Sequence, residues 1–115
     1  MNKVNIIGWV AQQPEIHVDM SGTLQCSAMV AINRRGNVPD VVPIIASGRN
    51  AEAVADFNRG EQIGVTGSIK TKIHKTQIEK YEIETAVLVE SVDLSKKQSN
   101  PLNDEFLPEV LNFEK

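Results

Sequence analysis

The sequence contains a single cysteine, and aromatic residues make up only 4% of its 115 positions. Cys26 has no partner for a disulfide within the chain, which favours a reducing, cytoplasmic setting. No apolar run reaches the length of a membrane span, and the N-terminus enters a strand-like pattern without an apolar signal-peptide core. These absences predict a soluble cytoplasmic protein.

Sequence signatures of catalysis and of metal binding are also missing. His17, His74 and Cys26 lie too far apart to give the ligand spacing of a zinc site. No glycine-rich loop precedes a helix with a lysine placed for phosphates. Cys26 lies on the apolar face of a predicted strand, where a structural role is the default. We therefore predict a protein that is not an enzyme and that uses no metal or cofactor.

Charge is present but segregated along the chain. The net charge is −3, yet cations cluster in the middle of the sequence and carboxylates dominate its last part. Binding of an anionic polymer depends on where cations lie rather than on their sum. The central cations are Arg34, Arg35, Arg49, Arg59, Lys70, Lys72 and Lys75. This pattern predicts one basic face on an acidic body.

Residue periodicity predicts five strands and one helix. The predicted strands cover residues 3–10 with a continuation at 16–18, then 23–33, 41–47, 61–70 and 80–93. Asn50 is predicted to cap the helix, which Arg59 and Gly60 end. Pro43 requires an edge, a bulge or an unpaired position in the third strand. A helix between the third and fourth strands predicts an all-β, five-stranded Greek-key barrel of the oligonucleotide/oligosaccharide-binding (OB) type. An SH3-like barrel is the alternative, which the helix position disfavours.

The fourth strand continues into a cationic arm at residues 71–79. The alternation places Lys70, Lys72 and His74 on the polar side of this strand, followed by Lys75. We predict that these cations hold phosphates of a nucleic acid, with Thr71 as a hydrogen-bond donor. The alternative interpretation is a solvated hairpin arm.

Arginines offer a second set of candidate contacts. Arg34 and Arg35 open a loop and have forks suited to phosphate and planes suited to stacking on bases. Their alternative role is to keep the loop soluble. Arg49 and Arg59 flank the helix and are predicted as structural or rim contacts, with Arg49 retained as a candidate for nucleic-acid binding.

An ordered series of short motifs covers roughly the first four-fifths of the chain. The motifs are Asn2-Lys3-Val4, Ile7-Gly8, Pro14-Glu15, Ser21-Gly22-Thr23, Asn33-Arg34-Arg35, Gly48-Arg49, Ala51-Glu52, Val54-Ala55, Gly60 and Val65-Thr66-Gly67. This series resembles the bacterial single-stranded DNA-binding proteins. The related primosomal replication protein N family has the same fold and is similar to residues 43–48. The resemblance implies a homo-oligomer, dimer or tetramer, that wraps single-stranded DNA non-specifically in replication, recombination or repair.

The sequence departs from the family where aromatic rings stack on bases. By resemblance, those positions hold Arg35 or its neighbour, Val41, Ser47 and His74. Because each stacked base contributes roughly 1–3 kcal/mol, binding should be weaker or should depend more on phosphate contacts. Trp9 and Tyr81 are two further candidates for stacking. Trp9 is expected in a subunit interface, since the family pairs its first strand across a dimer, rather than on a base. Tyr81 shares a predicted face with Ile83 and Val87, which favours the core over stacking.

The predicted domain covers residues 1–94, followed by a flexible linker and an acidic, apolar tail at 95–115. The family usually ends in proline and phenylalanine, whereas Glu114 and Lys115 follow the last phenylalanine here. Three roles stay open: recruitment of replication or recombination proteins by the tail, a protein-interaction module with weak DNA binding, or packing of the tail on the barrel or a sister subunit. The candidate tail contacts are Phe106, Leu107, Leu111 and Phe113.

Overall fold

The computed structural model describes residues 1–33 and 38–93. Within these ranges it has six strands and one short helix. The first predicted strand is divided in two, and the break at residues 11–14 lies where the sequence predicted an interruption. The elements are β1 Val4–Val10, β2 Glu15–Val18, β3 Leu24–Ile32, β4 Asp40–Ser47, α1 Arg49–Ala55, β5 Gln62–Lys75 and β6 Tyr81–Asp93.

The strands form one sheet in the order β1-β5-β6-β4-β3-β2, and a further pairing between β1 and β3 closes it on itself. All pairs are antiparallel except β4 with β6. With β1 and β2 counted as one bent strand, this is a five-stranded OB arrangement with α1 between its third and fourth strands. The predicted fold class is confirmed.

The barrel interior is filled by aliphatic side chains, and α1 closes one end. Alternation along β1 buries Ile6, Gly8 and Val10 and turns Ile7 outwards. Cys26 is buried, as predicted, and this burial raises the pKa of its thiol. Several side chains are fully excluded from solvent: Phe57, Ile44, Ile63, Val10, Val30 and Val54.

The predicted N-cap of the helix is wrong. The helix begins at Arg49 after Gly48, which has φ 61° and makes no side-chain cap, so Asn50 already lies inside the first turn. The Asn50 amide instead donates to the carbonyl oxygens of Val89 and Glu90, at 3.3 and 3.2 Å. Asn50 therefore ties α1 to β6. The predicted end of the helix is also wrong, because α1 ends at Ala55 with Asp56 as its C-cap, and Gly60, at φ 92°, lies in the connection to β5.

Pro43 lies within the β3–β4 ladder at a pair that exchanges no hydrogen bonds, so its missing N–H costs no bond to β3. It lies opposite Met29, whose carbonyl accepts a 2.8 Å bond from the Ala11 amide, so the backbone of Met29 is directed away from β4. The nitrogen of Pro43 therefore points towards β6. Within the described strands, the β4–β6 ladder contains only two residue pairs, Ile44 with Val87 and Ile45 with Leu88.

Strands β5 and β6 continue past the barrel as a two-stranded ribbon, defined here as residues 70–86. A β-bulge at Thr66/Gly67 interrupts the β5–β6 register within the barrel. The side chain of Asn2 accepts from the Ile69 amide at 2.8 Å and donates to its carbonyl at 2.9 Å, where the ribbon leaves the barrel. The predicted arm is therefore mostly strand. The prediction that Tyr81 belongs to the core is wrong, because Tyr81 lies on the ribbon and is 69% exposed.

Candidate nucleic-acid interface

A continuous row of outward side chains crosses four strands of the barrel. Ser27 pairs with Ile45, Ile45 with Leu88, and Leu88 with Ser68. The neighbouring row points inwards and contains the buried Ala28 and Ile44. We name the outward side of β3, β4, β6 and β5 the outer face.

The outer face contains a shallow groove of about 200 Å³ beside the break between β1 and β2. Met29, Pro43 and Ile45 provide its apolar lining, and Gln12, Gln13, Glu15 and Ser27 its polar lining. The Gln13 side chain is already engaged, since it donates to Asn58 Oδ1 and accepts from the Arg59 amide, both at 3.3 Å. No aromatic ring is among the described residues that line the groove. A base in this groove would contact aliphatic side chains.

Lys70, Lys72 and His74 share one face of the ribbon, which continues the outer face. Their cross-strand partners on β6 are Ala86, Glu84 and Glu82, respectively. His74 Nε2 lies 3.1 Å from an oxygen of Glu84, on the diagonal. Glu84 therefore opposes Lys72 and Glu82 opposes His74. The sequence analysis missed both because it does not fix the β5–β6 register. Lys70 has an uncharged neighbour across the strand.

The opposite face of the ribbon is mostly apolar. Its cross-strand pairs are Thr71 with Thr85, Ile73 with Ile83 and Lys75 with Tyr81, and the pair of Ile69 with Val87 adjoins them at the end of the barrel. Ile69, Ile73, Ile83 and Tyr81 are all at least half exposed. Thr71 and Lys75 thus lie on the other side of the ribbon from Lys70 and Lys72, so the predicted site is divided between two faces. Lys75 lies opposite the exposed Tyr81 across the two strands.

The remaining candidates lie on other elements. Trp9 is half buried on the outward side of β1, between Ala31 and Gln62. Arg49 is exposed at the start of α1. Arg34 and Arg35 lie outside the described residues, as do the tail candidates Phe106, Leu107, Leu111 and Phe113.

The turn between β2 and β3 is organised by a carboxylate. The Asp19 side chain accepts from the Ser21 hydroxyl at 2.6 Å, the Thr23 amide at 3.0 Å, the Gln25 amide group at 3.1 Å and the Ser21 amide at 2.9 Å. These bonds, led by that of the Ser21 hydroxyl, lower the pKa of Asp19 to about 2. This end of the barrel therefore carries a fixed negative charge.

Residues 1–33 and 38–93 contain neither a candidate metal centre nor a candidate membrane span. No cluster of histidine, cysteine, aspartate and glutamate is arranged there to hold a metal ion. No helix in that part of the chain is long and apolar enough to cross a membrane.

Comparison with known proteins shows which family this geometry belongs to. Residues 1–95 match the Single-strand binding protein family. A single-stranded DNA-binding protein of Clostridium perfringens (strain 13 / Type A) is 34% identical over 97 residues, which cover 81% of this chain and 65% of that protein. A single-stranded DNA-binding protein of Thermosynechococcus vestitus is 29% identical over 109 residues, covering 88% of this chain and 89% of that protein.

A third relative, single-stranded DNA-binding protein 1 of Nostoc sp., is 34% identical over 73 residues, or 61% of each chain. The chain therefore spans less than two thirds of the length of the Clostridium and Nostoc proteins that it matches. The matches confirm the resemblance found in the motifs, and they agree with a binding protein rather than an enzyme. The chain belongs to the Single-strand binding protein family.

Proposed function

We propose that this chain binds single-stranded DNA non-specifically along the outer face and the ribbon, for replication, recombination or repair. The observation that carries the proposal is the unbroken outward row from Ser27 to Ser68, which leads to Lys70 and Lys72 on the next positions of the same face. Family membership supports this ligand. Phosphate contacts would provide most of the affinity, since they supply the sequence-independent part of nucleic-acid binding.

Base contacts would be few and mostly aliphatic. The groove on the outer face offers Met29, Pro43 and Ile45. Tyr81 offers the exposed ring on the ribbon, and its neighbour Lys75 places a cation within reach of a phosphate next to a stacked base. A base stacked on one such ring is worth about 1–3 kcal/mol. We therefore propose Tyr81 and Lys75 as one stacking and phosphate unit.

A salt series tests this function directly. Affinity for an oligo(dT) strand should fall steeply as salt rises, with a log–log slope of about −0.7 for each phosphate neutralised. The affinity is read by fluorescence anisotropy of a labelled oligonucleotide, and by Trp9 emission in parallel. Tyr81→Leu should weaken binding about 10-fold without changing the slope, because it removes a ring and no charge. An affinity that does not change with salt would contradict the proposal.

We also propose that β1 pairs with β1 of a second copy, to give a dimer or a larger homo-oligomer. The Val10 backbone bonds to β5 through Glu61 and Gly60, so alternate residues Asn5 and Ile7 direct their backbone groups to the other edge. In the described residues, no strand covers that edge beside Asn5 and Ile7. Ile7 is 60% exposed and Trp9 is half buried on the same side, which supports an interface there.

Light scattering after size exclusion tests the β1 interface. Ile7→Pro removes an outward N–H that the second copy would need as a donor, so it should shift the protein to monomers. The fold should persist, since proline is tolerated where no ladder bond within the chain is lost. Ile7→Thr keeps the N–H and serves as the matched control that retains the oligomer. Identical masses for the two variants, with folded circular dichroism spectra, would argue against backbone pairing at this edge.

A protein-interaction role is the second candidate. The isoleucines at 69, 73 and 83 are exposed together, and aliphatic side chains lack the ring face on which bases stack. For the same role we propose that residues 95–115 form a linker and a partner-binding tail behind a domain at 1–94, which the acidic, apolar composition of that segment supports. The free thiol of Cys26 supports a cytoplasmic location.

A further inference from the structure

Strand β2 has one covered edge and one open edge. It pairs with β3 from Glu15 to Val18, and among the described residues no strand lies on its other side. The Asp19 amide donates to the Thr23 carbonyl at 3.0 Å, which fixes the alternation along β2. His17 and Glu15 therefore bond towards β3, and the N–H and C=O groups of Ile16 and Val18 point outwards.

Apolar side chains accompany these outward backbone groups. Ile16 is 54% exposed and Val18 is 62% exposed. Their cross-strand partners are Cys26 and Leu24, so both point to the side of the sheet on which α1 packs. A shallow depression continues on that side, lined by Leu24, Ala53, Ala55, Glu52 and Asp56. The edge therefore combines four backbone hydrogen-bonding groups with an adjacent apolar floor.

Carboxylates surround this edge. Glu15, Asp19, Glu52 and Asp56 are all exposed there, and the cation on the same helix, Arg49, lies at its start. Two copies meeting at this surface would bring their carboxylates together, and the tail of the chain is itself acidic. Charge complementarity disfavours both of these occupants and favours a cationic one.

We propose that the open edge of β2 receives an extended segment of a partner protein in which apolar residues alternate with lysine or arginine. Strand addition supplies main-chain hydrogen bonds, and the side chains that alternate along the added strand supply specificity. One set of side chains would enter the depression beside Leu24 and Ala53. The other set would lie on the side of Glu15, where cations are favoured. The surface is separate from the ribbon, and only Glu15 is shared with the groove of the outer face. The proposal does not depend on the proposed DNA binding.

Amide chemical shifts of the full-length, ¹⁵N-labelled protein provide the test. The probe is the peptide acetyl-Lys-Val-Lys-Val-Lys-Val-amide, which should shift the amides of residues 15–18, Leu24 and Ala53. Two control peptides carry N-methyl groups on alternate residues. One of them should bind at least 10-fold more weakly, because an added strand directs only alternate N–H groups towards β2.

Variants of the protein separate strand addition from simple charge attraction. Val18→Pro removes an outward N–H and no β2–β3 bond, so it should weaken peptide binding at least 10-fold. Val18→Thr keeps that N–H and should bind the peptide as the wild type does. Glu52→Lys should also weaken peptide binding. Equal binding of both methylated peptides, undiminished binding to Val18→Pro, or shifts confined to β1 or to residues 101–115 would each overturn the proposal.

Discussion

Replacing Lys70, Lys72 and Lys75 together by alanine is expected to weaken oligo(dT) binding by about two orders of magnitude at low salt. Each cation that neutralises a phosphate of a single strand contributes about 0.7 to the log–log salt slope, so the slope should become shallower by about 2. Lys70 should dominate, because Ala86 faces it across the strand, whereas Glu84 faces Lys72. The measurement is the anisotropy titration described above, repeated at four salt concentrations.

The matched control exchanges the same three lysines for arginine. This variant keeps every charge and should keep the salt slope of the wild type, although arginine presents a different donor geometry. Glu82→Gln with Glu84→Gln should act in the opposite direction and tighten binding, since it removes two negative charges from the face that carries Lys70 and Lys72, one of them directly opposite Lys72. A triple alanine variant whose slope equals that of the arginine variant would remove the ribbon from the DNA path.

Gly67→Ala is expected to destabilise the fold by about 3 kcal/mol or more, at the upper end of the cost of overpacking. A Cβ built at Gly67 overlaps the carbonyl oxygen of Leu88, lies 2.9 Å from its carbonyl carbon and 3.2 Å from Val87 Cγ1. The obstructing atoms are mostly backbone, so rotation of a side chain cannot relieve the overlap. Gly67 also lies at the β-bulge that fixes the β5–β6 register. Urea unfolding, followed by far-UV circular dichroism, measures the loss.

Gly64→Ala is the control on the same strand. A Cβ there would lie 3.3 Å from Asp93 Cβ, a side-chain atom, so a small adjustment suffices. The substitution also reduces the conformational entropy of the unfolded chain, which is worth about 0.4–1 kcal/mol in favour of folding. We therefore expect a change of about 1 kcal/mol or less. Equal losses for the two variants would show that the contact with Leu88 does not set the cost.

Much of the barrel could be predicted from local patterns. Alternating apolar residues marked the strands, and the position of the helix distinguished an OB arrangement from an SH3-like one. Asn50 was misassigned because its residue type suits an N-cap, while its bonds to Val89 and Glu90 come from β6, far along the chain. Local preference cannot reveal such a tertiary partner.

The candidate site was harder to predict than the fold. The alternation correctly placed Lys70, Lys72 and His74 on one face, but the opposing Glu82 and Glu84 depend on a register set by the hairpin turn and the bulge. Tyr81 was assigned to the core because alternation indicates which side a residue points to, and not where the barrel ends. These errors share one cause. The alternation along one strand shows neither its register against a neighbouring strand nor the residue at which it leaves the barrel.

The ribbon places the proposed ligand contacts outside the part of the sheet that encloses the buried interior. Beyond Ile69 and Val87, residues 70–86 leave the buried interior, and the clamp that Asn2 forms on the Ile69 backbone marks this boundary. A lineage can therefore exchange the charges and rings of the ribbon without repacking the interior. Substitutions on the ribbon are therefore expected to change ligand preference while the packing of the barrel interior stays the same.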